Sequence, residues 1–221
     1  MSTGFSAESF QFLADLEGNN DRAWFDAHRD VHRRSLQEPF ARLLEDVTVR
    51  LAASPVPLRG GERTMFRINR DVRFSADPSP YNTHVSGLLT ASGTKSESGG
   101  LVYVHLDAAG GHLAGGLYKP TASRLEPVRR AMVEQPELLD RVLAALSRAD
   151  LSLDTSEATR SMPRGFTEHA DHRHAGVIKL RNLMVLEPLD HDAWTDDVPG
   201  RLERFALDVA PLLHFIDTTT P

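Results

Sequence analysis

The chain opens on a helical rhythm. Phe10, Leu13 and Leu16 recur at helix spacing behind Ser6, an N-cap residue, with Phe5 and Phe10 placed as a hydrophobic staple and Gly18 as the stop. Asn19 and Asn20 stand where caps of a second helix belong, and its apolar positions are Trp24, Phe25, Val31 and Leu36. Pro39 must kink or restart that helix. Phe40, Leu43, Leu44, Val47 and Leu51 then carry the stripe to about Ser54, and Pro55, Pro57, Gly60 and Gly61 mark a loop.

The period changes at Met65. From there to Phe74 the pattern alternates and predicts a strand: Phe66, Ile68, Val72 and Phe74 on one face, Arg67, Asn69, Asp71 and Arg73 on the other, with Arg70 on the apolar register. A polar loop is expected from Ser75 to Gly100. Leu101–Leu106 alternates again, with Val102, Val104 and Leu106 opposite Tyr103 and His105, and the turn 107–111 leads to a third strand over His112–Tyr118.

Helices return with Ser123 and Glu126 at capping-box spacing before Val128 and Met132, and with Pro136 before Leu139, Val142 and Leu146. Short strands are expected within Leu151–Arg160 and at Leu183–Leu186, joined by the turn Met162–Gly165 and a His-rich stretch. A last helix begins near Val198 and carries Leu202, Phe205, Val209, Leu212 and Phe215. Helices, then strands, then helices predict an α+β fold: an antiparallel or mixed sheet packed against several helices, one domain over residues 1–221.

Composition narrows the function classes. With no cysteine among 221 residues, a disulfide scaffold, a Cys-based zinc site and a thiol nucleophile are excluded. The net charge of −6 resides in the stretch after Leu186, and the preceding residues balance. That argues against bulk nucleic-acid binding, which needs many phosphate-neutralising cations. No apolar run has the roughly 20 residues of a membrane span, so a cytoplasmic protein is expected. Only Lys95, Lys119 and Lys179 are lysine against 22 arginines, so an arginine counts here by its placement alone.

Placement singles out Arg67, Asn69, Arg70, Asp71 and Arg73. Period 2 puts two guanidiniums, an amide and a carboxylate on one face, and arginine forks match carboxylate and phosphate oxygens. Asp71 between arginines reads as the group that orients them. Tyr103 and His105 join that face if both strands share a sheet, because two apolar faces on one set of helices force the polar faces together. Arg70, on the apolar register, needs a carboxylate or several backbone carbonyls.

The runs Asn19–Phe25, Arg67–Ser75, Ser79–Tyr81, Gly115–Pro120 and Met162–Phe166 together resemble the uncharacterised family labelled domain of unknown function 2461, over roughly Phe5 to Ile216. The resemblance implies a single intracellular domain, chiefly bacterial, without an established activity. Lysines usually flank Ser-Pro-Tyr in that family. Pro78 and Asn82 stand there in this chain, which implies fewer cations around any anion site.

Three functional classes follow. The first is a binding domain for a small anionic ligand, lined by Arg67, Asn69, Arg70, Asp71, Arg73, Tyr81, Tyr103, His105, Tyr118 and Arg164. The second is an enzyme, a hydrolase or transferase on a phosphorylated or carboxylated substrate, in which His105 moves a proton and Tyr81 orients the substrate. The third is a structural or protein-interaction domain. No cofactor is expected. His169, His172 and His174, and the pair His28 and His32 at i,i+4, read as solvated histidines rather than metal ligands, and no HExxH, GxGxxG, GxSxG or phosphate-loop motif is present.

Overall fold

The computed structural model describes residues 5–73, 75–96 and 99–219. In chain order it contains α1 (Ala7–Gly18), α2 (Arg22–His32), a π-helical turn at Arg33–Gln37, α3 (Glu38–Leu51), β1 (His84–Thr90), β2 (Leu101–Asp107) and β3 (Gly110–Leu117). There follow α4 (Ala122–Glu134), α5 (Pro136–Arg148), the single turn α6 (Ala175–Ile178), β4 (Leu183–Leu189) and α7 (Val198–Thr218). The four strands form one antiparallel sheet in the order β1-β2-β3-β4, so the fold is α+β.

One face of the sheet is covered. Val85, Leu89, Val102, Val104, Leu106, Leu113, Leu183 and Val185 point into a hydrophobic cluster that runs from Phe5 to Ile216. α3 and α7 pack on this face, and glycine is what lets them approach. A Cβ on Gly87 of β1 would stand 2.8 Å from a Leu44 methyl of α3, and one on Gly115 of β3 would stand 2.9 Å from Val209 of α7. The opposite face carries His84, Tyr103, His105 and His112.

The helices follow the apolar stripes, with small shifts at their caps. Asp21, not Asn19 or Asn20, caps α2 by accepting from the Trp24 amide at 2.9 Å. Thr121, not Ser123, caps α4. Pro39 sits in the first turn of α3, where its missing N–H costs no helical bond, and the restart ahead of it is the π turn. The Ser9 hydroxyl of α1 donates to the Ser35 carbonyl in that turn at 2.8 Å.

Three expectations about strands and loops are corrected. Residues 65–73 do not form a strand, and Phe74 lies outside the described residues. The segment touches β1 through the bridge of Met65 with Gly87, then turns to pair Asn69 with Tyr81. Local bonds explain the departure: the Asp71 carboxylate accepts from the Arg73 amide at 3.3 Å and from its guanidinium, which competes with a ladder. Phe66 therefore leaves the apolar face it was expected to share, remains 44% exposed, and lies edge-on to Tyr103 at 6.2 Å.

The missing strand is β1, inside the expected loop 75–100. Its inward positions are Val85, Gly87 and Leu89, and the glycine hides the alternation. Residues 151–160 contribute only the bridge of Leu153 with Val185.

Candidate functional site

A cleft of about 750 Å³ lies between the N-terminal helices and the segment that begins at Met65. α2 supplies Arg29, the π turn supplies Arg33 and Gln37, the extended segment supplies Phe66, Arg67 and Asn69, β1 supplies His84, and the following loop supplies Lys95. Glu62 is the one carboxylate among the described lining residues. Four cations and one carboxylate thus line the cleft, while Asp26, Asp30 and Glu38 pair with Arg29 and Arg33 at its edge.

The cations differ in how they are held. Arg29 pairs with Asp26 and lies over the Phe25 ring. Arg33 reaches Glu38 at 3.0 Å and Asp30 at 3.5 Å. Lys95 donates to the Met65 carbonyl at 2.8 Å. The Arg67 guanidinium has no hydrogen-bonded partner among the described residues. Beneath them His32 is buried against Phe12 and Phe25, and burial together with the charge of Arg29 pushes its pKa down to about 4.

The walls are joined by residues far apart in the chain. The Asn20 carboxamide donates to the Tyr81 carbonyl at 2.9 Å and accepts from the Tyr81 amide at 3.0 Å. The Tyr81 ring stacks on Phe25 at 4.1 Å and is buried in the core. The first and third family-like runs thus meet at one junction.

The other arginines of the expected strand are engaged elsewhere. Arg70 pairs with Asp77 and donates to the Ser79 carbonyl at 3.1 Å, within its own loop rather than on the apolar face of a strand. Asp71 and Arg73 form an exposed pair at 2.6 Å, and the bonds from Arg73 hold the Asp71 carboxyl below its ordinary range. Bonds from Ser79 and then Arg70 hold Asp77 well below it too. The Asp77→Ala variant is expected to be cut by trypsin after Arg70 and Arg73 faster than wild type, with little change in melting temperature. An unchanged cleavage rate would mean that this pair does not hold the loop.

Tyr103 and His105 lie on the open face of the sheet. The His105 Nε2 is 3.3 Å from an Asp107 oxygen, and its Nδ1 is 2.9 Å from the Tyr103 hydroxyl. A neutral imidazole that donates from Nε2 to Asp107 accepts at Nδ1 from Tyr103, which makes a chain of carboxylate, imidazole and phenol. His105 also stacks on His84 at 4.2 Å and on His112 at 4.7 Å. Burial lowers the pKa of all three histidines, and the neighbouring imidazoles add to the effect on His105. Burial raises that of Tyr103.

Of the sequence-derived candidates, then, Arg67 and Asn69 line the cleft, and Tyr103 and His105 adjoin it through Phe66 and His84. Tyr118 is exposed at the end of β3 beneath the Lys119 ammonium. Arg164 is exposed in the turn before Phe166, outside the cleft lining. Arg29, Arg33, Gln37, His84, Lys95, Asp107 and His112 were not foreseen. The i,i+4 spacing of Arg29 and Arg33 was the one signal available for them. His174 binds Pro136 and Asp140, and no group of three His, Asp or Glu among the described residues is placed to hold a metal ion.

Fold and site together define an α+β protein with a basic cleft beside a histidine-lined sheet face. The model of the family described as "Conserved hypothetical protein (DUF2461)" matches residues 8–215, and the chain belongs to that family. Comparison with curated proteins gives no match. No helix among the described residues is long and apolar enough to cross a membrane.

Proposed function

We propose that this protein binds a small anionic ligand in the cleft beside Arg67. The observation that carries the reading is a guanidinium without a hydrogen-bonded partner among the described residues, in a concavity where Arg29, Arg33 and Lys95 outnumber the carboxylate of Glu62. A guanidinium in such a place has its donors available to a carboxylate or phosphate. The cleft volume falls in the range of roughly 300–1,000 Å³ typical of small-molecule sites.

Thermal shift tests this directly, because a ligand selective for the folded state raises the melting temperature. Phosphate, citrate or a nucleoside monophosphate is expected to give a saturable rise. Arg67→Ala should weaken that ligand about 10- to 100-fold, the equivalent of one hydrogen-bonded charge pair, while leaving the unliganded melting temperature unchanged because Arg67 is exposed. No shift with any anion, or the same shift in the variant, refutes the reading.

The chain Asp107–His105–Tyr103 favours a second reading, an enzyme that acts on the bound anion by hydrolysis or transfer. Asp107 orients the imidazole toward the Tyr103 phenol, the geometry of a proton relay, in which the lowered pKa of His105 makes it a weak base at neutral pH. Turnover of a phosphate or carboxylate ester that is lost in His105→Gln would support it. Stoichiometric binding without turnover supports the binding protein.

A further inference from the structure

We propose that the anion taken by this cleft is a nucleotide, a phosphate ester that carries a nucleobase, with the base stacked on Phe66. The inference rests on the anion-binding reading and adds the chemistry of the rest of the ligand.

Three observations point to an aromatic partner. Phe66 keeps 44% of its surface exposed, and it is the one strongly exposed large hydrophobic residue among those described that lines the cleft. An apolar ring left in water among cations gains by covering its face. The ring is also held in place: Tyr103 meets it edge-on at 6.2 Å, and the Lys95 ammonium lies over one face, 5.8 Å from the centroid, so a base would stack on the other. A fixed ring is a stacking platform for any base, because every base presents a π face.

The second observation is the pair of carboxamides in the same lining, Gln37 and Asn69. Each has both a donor and an acceptor, the pattern needed along the edge of a base. A simple carboxylate or inorganic phosphate would use only their N–H donors and leave both carboxamide oxygens without a partner. The third is size. At about 750 Å³ the cleft is far larger than a phosphate group requires. Arg67 and its neighbouring cations suit the phosphate, and Phe66 with the amides suits what the phosphate is attached to. The overall charge of −6 favours a single nucleotide over a strand.

Calorimetric titration of the full chain with the nucleoside monophosphates, ribose phosphate, inorganic phosphate and the free nucleosides separates the possibilities. At least one nucleotide is expected to bind about tenfold or more tightly than ribose phosphate, the range of one base–aromatic stack. Phe66→Leu, which keeps apolar bulk without a ring face, should remove most of that preference while ribose phosphate binds as before. If ribose phosphate binds as tightly as every nucleotide, the nucleotide inference is wrong and the anion reading stands. If no phosphate compound binds, the nucleotide inference is wrong, and if citrate also fails the anion reading is wrong with it. If free nucleosides bind as well as nucleotides, the phosphate has no part and the inference fails.

Discussion

Alanine at Gly116 is expected to destabilise the protein by about 3–5 kcal/mol, as strain at a special backbone conformation combines with a clash. Gly116 has φ of 137°, in the region that side chains rarely adopt. A Cβ there would stand 1.9 Å from the Leu183 carbonyl oxygen and 2.9 Å from its carbon. Those atoms belong to the backbone of β4, paired with β3 at this point, so no rotamer change relieves the contact. The strands must separate or the chain must twist. Gly176, where a Cβ meets nothing within 4 Å, is the matched control, and alanine there should be neutral or slightly stabilising. Urea unfolding measures both, with a shifted midpoint and an unchanged slope expected for Gly116→Ala. A change below about 1 kcal/mol would show that the sheet tolerates what this geometry forbids.

Mild acid is expected to destabilise the protein before its carboxylates protonate. His32 is buried neutral beside Arg29, with a pKa of about 4 against 6.5 for a free side chain. Above pH 6.5 neither folded nor unfolded chain carries this proton and His32 contributes fully. Between pH 6.5 and 4 the unfolded chain takes the proton and the folded chain does not, so stability falls with pH. The loss reaches about 3 kcal/mol once the folded form protonates as well. His105, lowered in the same direction, adds to it. Asp71 and Asp77 are lowered carboxylates, and their contributions are lost only below pH 3.8, outside this window. His32→Phe places a phenyl between Phe12 and Phe25, whose rings lie 5.6 and 5.4 Å from the imidazole. Its melting temperature should fall less steeply from pH 7 to pH 4.5 than that of wild type. Equal slopes would mean that His32 does not titrate as its burial requires.

Most of the helices were legible because their apolar stripes are long and regular: Phe40 to Leu51 in α3 and Leu202 to Phe215 in α7 admit one period only. Cap residues slipped by one or two positions, since Asn19, Asn20 and Asp21 can all cap and tertiary contacts choose among them. Asn20 is drawn away to Tyr81, which leaves Asp21 for α2. β1 was hidden by the glycine that lets α3 approach. Alternation at 65–74 was real but did not make a strand, because Arg70 and Asp71 find partners within their own loop.

The candidate site divides the same way. Arg67 and Asn69 stood out by pattern, and they line the cleft. Arg29 and Arg33 have the spacing of a solvated helix face, and only the tertiary arrangement brings them opposite Arg67. His84 lay in the expected loop, and His112 at the start of the expected third strand carried no sign of its partners. Their stack on His105 depends on strand register, which pairs His105 with His112 and Ser86 with His105.

The Asn20 carboxamide has a consequence for when the cleft comes into being. It satisfies both backbone polar groups of Tyr81, a residue 61 positions away in the chain. Arg29 and Arg67 therefore line one cleft only after a long loop has closed, and loop closure of this kind is an entropic cost met late, when the surrounding contacts reward it. No fragment comprising the N-terminal helices alone contains both walls. Occupancy by the proposed ligand would thus be tied to the cooperative fold rather than to a local hairpin, and such a ligand would stabilise both walls together.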